Sequence, residues 1–274
     1  MIPVPIAPFP SPRPLSAWLL SRDGLPRVRM LSGGGTVAVA LPNRYSMTHI
    51  LLSGDAVVVV DCGSNEDVPR VLEALRWLGR TPSQVRAVVV SHFHFDHVMG
   101  IDALARRAGC PVAVSRRAWQ AFNGGPRLRP PPARSTGVLL WGWAVQGFQL
   151  LPPSDRALVH RYLDPAGPNP FVSPLLPLDD GQELPGMPGW QALWTPGHAD
   201  DAQALFHREA GFLVTGDTIR NFGGGEWNPV QCDPEAMQQT RRRLSALPVR
   251  AVLAGHGPVM EGERILARMK VIDP

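Results

Sequence analysis

Hydrophobic and polar positions along the chain alternate between two regimes. Short β-branched runs at Thr36 to Ala40, His49 to Leu52 and Ala56 to Val60 are split by Pro-Asn and Gly-Asp turns, a pattern that predicts adjacent strands of a meander. The run AVVVVD passes through Cys62-Gly63-Ser64 into Val68 to Leu78, where apolar residues at 68, 71, 72, 75 and 78 have helical spacing. A second apolar run at Ala87 to Val90, a helix over Val98 to Ala108 and a strand at Val112 to Val114 follow. This half therefore reads β-α-β-α-β, with helices laid on a sheet.

From about residue 122 to 188 prolines cluster, periodicity fades, and Trp141, Trp143, Phe148 and Phe171 are interspersed. The segment reads as an insertion, suited to a lid over a site or to a homodimer contact, with Trp141 and Trp143 as candidate substrate-binding residues. Strand signals resume at Ala192 to Trp194, Ala202 to Phe206 and Phe212 to Thr215. An Asp-Pro-led helix from Glu235 to Leu247, a strand at Ala251 to Ala254 and a short terminal helix complete the pattern. By length alone 274 residues are about two domains' worth, although single α/β domains of this size are common enough to allow one carrying the insertion.

Composition narrows the classes. A 44% hydrophobic content in 274 residues supports a large core. The net charge of +4 is modest, and the dense basic run Arg241-Arg242-Arg243 falls in a predicted helix, so no nucleic-acid partner is expected. Three scattered cysteines without a CxxC pair make no disulfide framework and point to a reducing compartment. Prolines interrupt the start MIPVPIAPFPSPRPL where a signal peptide needs an apolar stretch, and no window approaches a membrane span. A cytoplasmic protein without a membrane partner is expected.

Histidine usage carries the chemistry. Five of eight histidines sit in turn-like segments directly after predicted strands: three in Ser91-His92-Phe93-His94-Phe95-Asp96-His97, one in Thr195-Pro196-Gly197-His198, one in Gly255-His256-Gly257. Imidazole nitrogen and carboxylate oxygen are the donors that borderline divalent metals such as zinc favour. A tight loop can aim His92 and His94 at one ion while Asp96 and His97 point to another. His198, His256 and Asp217 also lie where strands end, the edge at which open α/β sheets build sites, and an aspartate between two ions can bridge them. His49, His160 and His207 fall outside these segments and read as packed or surface residues. Cys62 reads as a small buried hydrophobe.

Asp61 in VVDCG, then HFHFDH, TPGH, TGD and AGHG occur in the order and approximate spacing of five motifs of the metallo-β-lactamase superfamily, which the chain resembles from about residue 45 to 260. The resemblance implies that residues 1–274 form a single domain, an αβ/βα sandwich of two mixed sheets flanked by helices, with two divalent metals at one edge: zinc first, iron or manganese as alternatives. By similarity His92, His94 and His198 hold the first metal, Asp96, His97 and His256 the second, and Asp217 bridges. Asp96 and Asp217 are the candidate catalytic residues, able to hold or pass a proton. Asp61 is expected to support ligating imidazoles through their second nitrogen.

The implied activity is that of a dinuclear hydrolase using a metal-activated hydroxide on an ester-like bond of a small, partly apolar substrate. Asp217 stands where the commonest β-lactamases have a cysteine, and GDTIRN followed by NPVQCDPEAMQQTRRRL resembles the lactonase and organophosphate-hydrolase branch. A lactone is the first expectation, an acyl thioester or phosphotriester the next. Arg220 takes the place of a tyrosine found in several acyl-lactone hydrolases and reads as a donor to a substrate oxyanion. The glyoxalase II branch usually extends further beyond its fifth motif than the 18 residues that follow His256 here, and is expected less. The fold also hosts iron-dependent persulfide dioxygenases and binding proteins without turnover. Asp200 and Asp201 are expected either to support the ligands or to lie in a solvated turn.

Overall fold

The computed structural model describes residues 28–130, 132, 151–163 and 169–272. Strands β1 (Arg29–Gly33), β2 (Thr36–Pro42), β3 (Met47–Ser53) and β4 (Ala56–Val60) form an antiparallel meander joined by tight turns. It continues in parallel through β5 (Val85–Val89), β6 (Val112–Ser115) and β7 (Leu175–Leu178), in the spatial order β1-β2-β3-β4-β5-β6-β7. The second sheet is built from β8 (Trp190–Trp194), β9 (Gln203–His207) and β10 (Phe212–Gly216). After a small hairpin of β11 (Ile219–Arg220) and β12 (Glu226–Trp227), β13 (Ala251–Ala254) and β14 (Met260–Glu261) complete it in the order β14-β13-β10-β9-β8.

Alternation along each strand sets the layers. In β4, Val58 and Val60 face the second sheet, where they meet Trp190, Leu205, Val214 and Leu253, while Val57 and Val59 face helices. A strand covered on both sides is a continuous apolar run, which is why β4 reads AVVVV. Helices α1 (Val68–Trp77) and α3 (Ile101–Ala108) cover the outer face of the first sheet through Val71, Leu75 and Leu104. A later helix, Pro234–Ser245, covers the second through Met237 and Leu244. The result is the expected αβ/βα sandwich. No helix among the described residues is long and apolar enough to cross a membrane.

Three expectations need correction. The helix over Val98 to Ala108 is two: α2 (Phe95–Val98) ends before Gly100, and α3 begins after it. A side chain at Gly100 would collide with the Ser64 carbonyl and lie 2.6 Å from Cys62 Sγ, so the break lets the segment after β4 press against the helix start. A helix α4 (Arg116–Phe122), whose N–H of Ala118 is capped by Ser115, follows β6 directly. The segment 122–188 is also not insertion throughout. It contains α5 (Pro153–Leu163), and its last part belongs to the sandwich: β7 pairs with β6, and Leu184 and Met187 are buried between the sheets. Proline-rich sequence hid β7 because an edge strand tolerates Pro177. The Pro234–Ser245 helix is α6; it opens on Asp233, whose side chain accepts from Ala236 N at 3.0 Å. The terminal helix is a 3-10 turn over Ile265–Arg268.

Candidate metal centre

The carboxyl ends of five strands meet at one edge of the sandwich. Asp61 follows β4, the His92–His97 loop follows β5, His198 follows β8, Asp217 follows β10 and His256 follows β13. Parallel pairing of β4 with β5 and of β10 with β13 aligns these ends.

All seven expected ligands come together, in three overlapping groups: His92, His94 and His198; His92, His97 and Asp217; Asp96, His97 and His256. Within each group the potential donor atoms lie within 4.8 Å of one another. Asp217 connects the groups, with Oδ1 at 3.3 Å from His97 Nε2 and Oδ2 at 3.2 Å from His256 Nε2 and 3.8 Å from His198 Nε2.

Hydrogen bonds outside the centre fix which ring nitrogen faces inward. Ser91 Oγ gives its hydrogen to Asp61 Oδ2 at 2.6 Å, so at 3.0 Å from His92 Nδ1 it accepts, and His92 Nδ1 donates. His97 Nδ1 donates to Asp61 Oδ2 at 2.8 Å and His198 Nδ1 to the Val230 carbonyl at 2.8 Å. The neutral rings of His92 and His198 therefore turn a lone pair on Nε2 to the interior. There His92 Nε2 stands 3.0 Å from His94 Nδ1, which stands 3.1 Å from His198 Nε2. A hydrogen on His94 satisfies one of these contacts, whereas one divalent cation satisfies three nitrogens at once.

Burial pushes the pKa of His92 and His198 down, and that of His94 down to about 3, so these rings stay neutral as ligands must. At the other group the carboxylates win. Burial opposes protonation of His97 and His256, yet Asp217 and Asp96 beside them raise His97 well above the usual histidine value and His256 to about 9. Burial also works against the charge of Asp96 and Asp217, but His97 holds Asp96 down to about 2, and His256 with His97 holds Asp217 well below the carboxylate range. The carboxylates of Asp96 and Asp217 therefore favour positive charge at this group. Asp217 Oδ1 is buried with His97 Nε2, 3.3 Å away, beside it, and a Cβ at Gly255 would collide with it. The residues fit two cations.

The supports were only partly visible in sequence. Asp61 has φ of 60°, an uncommon conformation for a side-chain-bearing residue, and is fixed by Asp61 N to Val89 O at 2.9 Å and Thr48 Oγ1 to Asp61 O at 2.9 Å. Asp201 is not in a solvated turn: it is buried and accepts from Phe93 N at 2.9 Å, gripping the ligand loop between its two first histidines. Asp200 pairs with Arg117 at 2.7 Å. Ser91 and Asn228, which donates to the Asp217 carbonyl at 2.9 Å, were missed, since a serine before the motif and an Asn-Pro step carry no spacing signal.

The Nε of Arg220 donates to Glu226 at 2.6 Å across the β11–β12 hairpin and its guanidinium lies 5.2 Å over Phe222, contacts that tie it to the hairpin. Phe222 in turn lies 5.8 Å from the His256 ring. His49 and His207 are packed, His160 is exposed, and Cys62 is fully buried. Trp141, Trp143 and Phe148 lie outside the described residues.

The family whose profile matches residues 42–256 is described as the metallo-beta-lactamase superfamily. The probable metallo-hydrolase YqjP of Bacillus subtilis is 27% identical over 242 residues, 81% of this chain and 71% of that protein. A hydroxyacylglutathione hydrolase of Rhodobacter capsulatus is 28% identical, over 79% of this chain but 63% of the relative. Among solved structures, TTHA1623 in a di-iron-bound form superposes with a TM-score of 0.54 at 22% identity, covering 82% of this chain and 93% of that one.

Proposed function

The chain belongs to the metallo-beta-lactamase superfamily, and we propose that it is a dinuclear metal-dependent hydrolase of an ester-like bond, with a lactone or other small, partly apolar ester as substrate. The observation that carries this reading is the pair of donor groups joined through Asp217. Two divalent ions, zinc foremost, would lower the pKa of water and polarise a carbonyl oxygen. His92, His94 and His198 would hold one ion, Asp96, His97 and His256 the other, and Asp217 both.

The remaining chemistry belongs to the chain. His94, Phe95 and Asp96 are the partly exposed members of the ligand loop, so substrate approaches over them. The half-buried Phe222 beside His256 gives the approach an apolar wall, which suits an acyl chain. Asp96, partly exposed at this approach, would be able to hold or pass a proton there. The aromatic insertion, with Trp141 and Trp143, is proposed as a further wall or as a homodimer contact.

A thioester is the second reading, favoured by the hydroxyacylglutathione hydrolases among the relatives. Proton release by metal-quantified protein over lactones, acyl thioesters, phosphotriesters and β-lactams, with Asp217→Ala as control, separates the two. A lactone preference lost in the variant supports the proposal, a thioester preference replaces it, and equal activity in the variant overturns the dinuclear assignment.

A further inference from the structure

Helix α5 of the insertion is tied to the segment after β4 by one buried carboxylate. Asp155, in the first turn of α5, is fully buried. Its Oδ2 accepts from Ser64 Oγ at 2.6 Å, and its Oδ1 accepts from Asn65 N at 3.0 Å and Asn65 Nδ2 at 3.2 Å. The Ser64 hydroxyl also accepts from Glu66 N at 3.1 Å, so one serine caps the turn after β4 and ties it to α5. A buried carboxylate with three donors, all on two consecutive residues, is a specific contact.

The segment that Asp155 grips is the one on which the second ligand group rests. Cys62 N donates to the His97 carbonyl at 2.9 Å, and Gly100 N donates to the Cys62 carbonyl at 2.8 Å. A Cβ at Gly63 would collide with the Asp96 carbonyl, which accepts from Ser46 Oγ at 2.8 Å. Residues 62 and 63 thus touch the backbone of Asp96 and His97, immediately before the Ser64-Asn65 step. Helix α5 packs on α2 itself as well as on the turn at Asn65–Asp67, with Leu158 and Val159 against the same apolar cluster as Val98. No comparable link joins α5 to His94 or His198 among the described hydrogen bonds.

We propose that Asp155 is a positioning residue of the metal centre, latching the insertion to residues 62–65 and through them fixing α2, which presents Asp96 and His97. This rests on the reading of Asp96, His97 and His256 as a ligand set. The latch makes the ion at that set, and not its neighbour at His92, His94 and His198, depend on the insertion.

The test is zinc binding by the full chain, measured by chelator competition for wild type, Asp155→Ala and Asp155→Asn, with melting temperature followed in parallel. Asp155→Ala is expected to weaken the second zinc by about 10-fold or more while leaving the first unchanged. Asp155→Asn keeps an oxygen for Asn65 and offers an N–H to Ser64 Oγ, so it should recover most of that loss. If Asp155→Ala does not fold, Ser64→Ala removes one of the three donors and should show the same site preference in smaller degree. Unchanged affinity at both sites, or equal loss at both whatever the melting temperature, overturns the latch while the ligand set stands. A wild type that binds a single zinc overturns the ligand set and the latch with it.

Discussion

Oδ2 of Asp61 lies 2.8 Å from Nδ1 of His97, and the same carboxylate takes the N–H of Ser91 at 2.8 Å and its hydroxyl at 2.6 Å. One side chain therefore sets the tautomer of His97 directly and that of His92 through Ser91. Asp61→Asn tolerates the positive φ but turns an N–H against one of these donors. Metal affinity should fall about 10- to 100-fold with the fold retained, measured by chelator competition beside circular dichroism. Wild-type affinity in this variant would show that the imidazoles need no support from Asp61.

Gly255 tests the closeness of the centre from the other side. A Cβ there would collide with Asp217 Oδ1 and lie 2.8 Å from His97 Cε1. Gly255→Ala should therefore displace the Asp217 carboxylate, lowering zinc stoichiometry and costing about 1–3 kcal/mol of stability from overpacking. Two tightly bound zinc ions in this variant would mean that the Asp217 carboxylate sits elsewhere in the loaded protein.

How far the sequence led depended on whether a feature was local. The strand at Ala56 to Val60 and the ligand loop at His92 to His97 were legible, because a fully buried strand and alternating donors after it leave a pattern within a few residues. Helix α2 was not separated from α3, since the reason for the break at Gly100 is the approach of Cys62 and Ser64 from another segment. β7 was lost because its partner β6 lies about sixty residues upstream and its sequence LLPL has no alternation. The partner of Arg220 was hidden for the same reason: its type suggested a donor, while Glu226 becomes its neighbour only once the hairpin forms.

Asp67 gives the fold a pH dependence of its own. Burial raises its carboxyl to about 7, against the opposing pull of Arg44 and Arg70. The folded state thus holds this proton more tightly than the unfolded state, so the contribution of Asp67 to stability is complete below its unfolded value near 3.8 and is lost as pH rises towards 7. Each unit corresponds to about 1.4 kcal/mol. His49, lowered to about 4 by burial, slopes the other way and is common to both proteins compared. Asp67→Asn should gain stability relative to wild type between about pH 5 and about pH 7 in denaturant titrations, and parallel curves would show that Asp67 is ionised throughout.

The Arg220–Glu226 pair decides whether the hairpin serves the substrate or the fold. Both side chains are largely buried, and their 2.6 Å contact spans β11 and β12 beside Phe222. Removing one member leaves the other charge without its partner in a poorly hydrated place, a loss on the order of 3–5 kcal/mol for a buried pair and less for one with some solvent access. A substrate-facing guanidinium would make Arg220→Ala lower kcat/KM while Glu226→Ala left it intact. The bracing role predicts instead that the two single variants lose stability and shift KM alike, because either one frees the Phe222 wall next to His256. In the double variant the losses should be far from additive, since neither side chain has a partner left to strand. Stability curves and kcat/KM for the four proteins of this cycle measure both quantities, and an activity loss confined to Arg220→Ala would return that arginine to the substrate.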